Sequence, residues 1–117
     1  MKYFLIILLF FSLSLKATTI HVGKRHTIKS VKKGIALAKN GDTLIVHSGL
    51  YKEGNIIIDK RIVFMGKDLP VLDGEKKHEV LSIKADSVVV DGFKIIKSAY
   101  ATITDPCGIK VYNKAHV

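Results

Sequence analysis

A single cysteine, Cys107, is all the thiol chemistry the 117-residue chain carries. One thiol makes neither an intrachain disulfide nor a cysteine-rich zinc site, so a disulfide scaffold and a zinc finger are both excluded. Acidic charge is also scarce, with 10 Asp and Glu against 19 Lys and Arg. The excess of basic residues is spread over many turns, and no aromatics are interleaved with it. That pattern describes a solvated surface and excludes a nucleic-acid reader. The length bounds the chain at one domain, and a hydrophobic content of 48% excludes a disordered tail.

Long apolar runs are missing everywhere but at the start. Lys2 provides a short positive region, Tyr3 to Leu15 is almost unbroken apolar sequence, and Ala17 offers signal peptidase a small residue before Thr18. Tyr3 to Leu15 falls short of the roughly 20 residues that span a hydrocarbon core. Residues 1–17 are therefore expected to be a cleaved export signal, with the product periplasmic and not stably inserted in the membrane. Lys2 and Lys16 leave with the leader, which lowers the formal charge from +9 to +7.

One stretch has helical periodicity. Ile28, Val31, Ile35 and Ala38 recur at spacings of three and four across Thr27 to Asn40, opposite Lys29, Lys32 and Lys33. Thr27 stands in the N-cap position, and Lys39 with Asn40-Gly41 supplies a cationic last turn and a left-handed stop. Gly34 inside this helix costs about 1 kcal/mol relative to Ala, and Leu37 falls off the stripe. Such a helix depends on docking onto a larger body.

After Gly41 the chain changes to short β runs separated by Gly, Asp, Asn or Pro: 43–47, 55–58, 62–65, 71–72, 80–83, 88–90, 93–96 and 109–112. These runs echo one another. Leu81-Ser82-Ile83 matches Ile109-Lys110-Val111 at a separation of 28, as Val89 matches Val117. Ile56-Ile57-Ile58 and Val63-Phe64-Met65-Gly66 precede their later copies by 25 to 26. A run, a tight turn and another run, repeated every 20 to 30 residues, is the pattern of a parallel β-solenoid, here of about four coils. An antiparallel sandwich would use Asp73-Gly74 and Asp91-Gly92 as hairpin turns, but it explains neither the echo nor a lone helix at the start.

The residues Thr27-Ile28, Ala36, Ala38, Asn40-Gly41-Asp42-Thr43-Leu44-Ile45-Val46, Gly49, Tyr51 and Glu53 resemble the opening coil of pectin-lyase-like right-handed parallel β-helices. Those proteins begin with a capping helix, a Gly-Asp-Thr strand and a Gly-x-Tyr-x-Glu turn. A helix there covers the apolar lumen and unpaired strand edges of an open solenoid end. Together with 61–66, 69–74, 88–93 and 105–112, the chain is similar to the start of the NosD family of nitrous-oxide reductase maturation proteins. The resemblance implies an exported, non-enzymatic β-helix that assists assembly of a copper centre in denitrification. Its implied partners are ABC transporter subunits and the reductase or a copper chaperone. It also implies that residues 18–117 form only the cap and first coils of a longer solenoid. A carbohydrate-binding or polysaccharide-cleaving β-helix is the alternative.

No local motif supplies a catalytic residue. Asp42, Asp73, Asp91 and Asp105 could be set beside the calcium-holding acids of β-helix lyases, but three of them adjoin Gly or Pro, where an Asp that bonds nearby amides is sufficient. His21, His26, His47, His78, His116, Met65 and Cys107 are the soft or borderline metal ligands. None forms a His-x-His, Met-x-Met or Cys-x-x-Cys pair, a spacing that favours scattered surface side chains. If copper is held directly, the candidate ligands are His47, His78 and Cys107, with His47 and His78 meeting across coils.

Overall fold

The computed structural model describes residues 16–77, 79–97 and 108–112. The apolar part of the leader, His78, Asp105, Cys107, His116 and the Val117 echo lie outside the described residues. Ten strands and one helix follow in chain order: β1 (Thr19–Val22), α1 (Val31–Leu37), β2 (Thr43–His47), β3 (Leu50–Tyr51), β4 (Ile56–Ile58), β5 (Val63–Lys67), β6 (Val71–Asp73), β7 (Leu81–Ile83), β8 (Val89–Asp91), β9 (Lys94–Ile96) and β10 (Ile109–Val111). They stack into three parallel sheets, β1-β2-β5-β8, β3-β6-β9 and β4-β7-β10. The chain is a parallel β-solenoid with one short helix.

The registers follow the sequence echoes. Ile56 to Ile58 pair with Leu81 to Ile83, which pair in turn with Ile109 to Val111. Val63-Phe64-Met65 pair with Val89-Val90-Asp91. Identical register carries inward residues onto inward residues, because side chains alternate along a strand. The lumen is thus a set of apolar columns such as Ile20, Leu44, Phe64 and Val90, and Leu44 and Phe64 are fully buried. The ring of Phe93 stacks on Phe64 at 4.3 Å between centroids. The described residues make about three turns where the sequence suggested four. The segment before Thr43 is the reason, since it forms one strand and the helix and does not close a coil of its own.

The helix is a lid, as its apolar stripe predicted. Val31 and Ile35 are buried, Ile28 packs against the core, and Leu37 is exposed. Its bounds differ from the expectation at both ends. Ser30, not Thr27, is the N-cap: its backbone is extended and its hydroxyl accepts from the Lys33 N–H. Residues 23–28 are already committed to a turn that ends in a parallel bridge between Val22 and Ile28. At the other end the helix stops at Leu37 and not at Asn40. Lys60, from the next coil, donates to the carbonyls of Ile35, Ala36 and Ala38 at 2.7–3.0 Å. One ammonium therefore serves three carbonyls of the helix end, of which that of Ile35 also accepts from the Ala38 N–H at 3.2 Å.

Glu53 locks the other end. Its carboxylate accepts from the Ser30 hydroxyl (2.6 Å), the Val31 N–H (2.7 Å) and the Lys32 N–H (3.1 Å). Bonds from first-turn amides to an ionised carboxylate are the strong, dipole-favoured kind. The Gly-x-Tyr-x-Glu turn is thus tied to the helix it follows.

Candidate functional site

Outside the lumen, three imidazoles meet at the end of the first sheet. In β1 and β2 Val22 and Val46 point inward, so by alternation His21 and His47 face out. The β1 register sets His21 beside Ile45, which makes His47 its diagonal neighbour. His21 Nδ1 and His47 Nε2 lie 2.9 Å apart, so one ring nitrogen donates to the other.

His26 arrives from the turn after β1, where its N–H donates to the Gly23 carbonyl at 3.1 Å. Its ring stacks on that of His47 at 4.2 Å and on that of His21 at 5.5 Å. Gly23 makes this possible: a Cβ there would stand 2.9 Å from His26 Cδ2 and 3.1 Å from His47 Cβ. The backbone of His47 is anchored by the buried Tyr51, whose hydroxyl donates to the His47 carbonyl at 2.7 Å.

Burial holds the His47 pKa below its ordinary value, and His26, His21 and Lys67 push it further down. Both effects favour a neutral His47 ring. Beside the cluster lies a recess lined by Lys24, Arg25, His26, His47 and Ser48.

Of the candidate copper ligands, His47 alone falls among the described residues, and its ring neighbours there are His21 and His26. Met65 sits one rung on from Ile45, on the outer face of β5. No group of three or more His, Cys, Asp or Glu among the described residues is arranged to hold a metal ion.

Two of the four aspartates, Asp42 and Asp73, bond backbone amides as expected of turn residues. Asp42 is buried and accepts from the Thr18 N–H (2.9 Å) and the Lys39 N–H (2.8 Å). These backbone bonds hold its carboxyl below the ordinary range. Asp73, also buried, accepts from the Glu75 N–H at 2.8 Å and lies 3.9 Å from the Lys97 ammonium. Asp91 is exposed on the outer side. A second polar knot lies at the far side of the solenoid, where the fully buried Ser82 hydroxyl is within bonding distance of Asn55 and Glu79. Tyr112 donates to Glu79 there, which lowers the Glu79 pKa and raises its own.

No helix among the described residues is long and apolar enough to cross a membrane. No protein-family model, no curated protein and no solved structure matches the chain.

Proposed function

We propose that the chain is the cap and first coils of an exported scaffold of the NosD type. In this reading it assists assembly of the nitrous-oxide reductase copper centre by holding partners beside an ABC transporter. Copper is the client's cargo, and the solenoid supplies docking surface and not reaction chemistry.

The supporting observation is the work done by the residues that carry the resemblance. Asp42 of the Gly-Asp-Thr strand ties the helix exit to the chain before β1, and Glu53 of the Gly-x-Tyr-x-Glu turn ties down the helix start. Both serve a capped solenoid end, after which stacked coils offer a long, stiff lateral surface. Fold alone does not select a function, since sites are grafted on folds.

Deleting the gene should leave the reductase exported but short of copper at its catalytic centre, as read by metal analysis of the purified enzyme. A full copper complement, or cleavage of pectin-like polymers by the purified protein, would replace this reading with the carbohydrate one.

A further inference from the structure

The recess beside the imidazoles has an unusual lining for a protein surface, because every charged or ionisable group in it is basic. Lys24 and Arg25 come from the turn after β1, His26 from the end of that turn, and His47 and Ser48 from the end of β2. The β2–β5 register adds Lys67, paired with His47 on the next rung, where strands stand about 4.8 Å apart. No carboxylate lines the recess itself; the nearest that acts on His47 is Asp68, next to Lys67 and, like it, outside the lining. Among the described residues Lys24, Arg25 and Lys67 are in no ion pair.

Like charges converge in this way at a cost, which a bound anion offsets. The donors are of the right kinds: a guanidinium fork, ammonium groups, a hydroxyl, and ring N–H groups from His26 and His47. They come from two separate segments, the turn after β1 and the end of β2, so an anion seated between them meets more donors than the two oxygens of a carboxylate can serve, which favours the three or four oxygens of a sulfate or phosphate.

We infer that the recess lined by Lys24, Arg25, His26, His47 and Ser48 is a binding site for a tetrahedral oxyanion of the sulfate or phosphate class, free or as an ester. The rigid parts are already in place. Tyr51 fixes the His47 backbone, Gly23 lets the two rings close, and the β1–β2 ladder sets the distance between the two contributing segments. Lys24 and Arg25, on the turn after β1, are the long charged arms.

Calorimetric titration of the full chain with sodium sulfate tests this, with ionic strength held constant by sodium chloride. Saturable one-to-one binding is expected, weakened about tenfold or more in the Lys24→Gln/Arg25→Gln variant through loss of two charge-assisted contacts. The Lys39→Gln/Arg61→Gln variant removes the same charge near the opposite end of the β2 and β5 strands and should change affinity less than about twofold, given screening over a Debye length. A monosaccharide sulfate ester that binds more tightly than inorganic sulfate would assign the anion to an ester, and the reverse order to the free ion. Equal affinity in wild type and the Lys24→Gln/Arg25→Gln variant, or no saturable binding by wild type, overturns the inference.

Discussion

Replacing Gly34 by alanine sets two physical effects against each other and gives a sign to measure. Helix propensity favours alanine in the middle of α1 by about 1 kcal/mol. Packing opposes it, because the added Cβ would stand 2.6 Å from Val22 Cγ2 and 3.0 Å from Leu44 Cδ1. Val22 and Leu44 are both fully buried, so neither has free space to move into. Forcing a methyl group into such a contact typically costs about 1–3 kcal/mol. The net expectation for Gly34→Ala is a loss of about 1 kcal/mol, which lowers the melting temperature by about 4–8 °C in a domain of this size. Urea and thermal unfolding followed by circular dichroism would read it. The decisive control is Gly34→Ala in a Val22→Ala background, which removes the nearer clashing methyl. There the substitution should become neutral or stabilising, with a coupling of about 1–2 kcal/mol between the two sites. A stabilised single variant, or strict additivity in the double variant, would refute the view that the lid seats on β1 and β2 through this glycine.

Three further outcomes follow from the same contacts. Gly66→Ala should cost about 3 kcal/mol or more, because its Cβ would collide with the Gly92 carbonyl on the next rung and backbone cannot yield as a side-chain tip does; an unchanged urea midpoint would contradict this close stacking. Ile35→Asp places a carboxylate in the lid contact, where the isoleucine is 5% exposed, and should cost about 3 kcal/mol or more at neutral pH, with an unchanged melting temperature counting against the lid. Asp42 has a lowered folded-state pKa, held down first by the Thr18 and Lys39 amides. Its contribution is therefore fully present above the unfolded carboxylate range and lost as pH falls below about 4, so Asp42→Asn should lose stability at pH 7 and much less at pH 2.5. A penalty independent of pH would exclude this linkage.

What was legible in the sequence is what depends on local pattern. The echo of 81–83 in 109–111 gave the register directly, because β-branched runs between punctuating turns leave little choice of face. The helix stripe was legible for the same reason. Its ends were not, since Lys60 reaches back to the last carbonyls from the following coil, and the β1 turn displaces the N-cap to Ser30. β1 itself was hidden beside the apolar leader, and β3 is too short to carry a pattern. Without β1 the diagonal of His21 to His47 could not be drawn. From sequence alone His47 is set against His78 across coils instead, and His26 joins the cluster from a turn that has no repeat. The signal that could have revealed the cluster was the 24-residue offset of Thr19 to Thr43, which brings Gly23 alongside His47.

The corners of this solenoid behave differently from its walls. Successive rungs of the first sheet begin at Thr19, Thr43, Val63 and Val89, and those of the third at Ile56, Leu81 and Ile109, so no two neighbouring steps have the same length. The ladders nevertheless stay in register. Among the described residues the variation falls between the strands, in part at non-glycine residues that adopt left-handed backbone, Asp68 and Leu69 at one corner, Glu75 and Lys76 at another. The walls count residues strictly, because a single insertion in a strand would turn its lumen side outward, whereas the corners do not count at all. A grafted peptide loop at 75–77 would therefore project sideways and leave the columns beneath it in phase, which makes each bend a separate place where a coil can acquire a new surface without disturbing its neighbours.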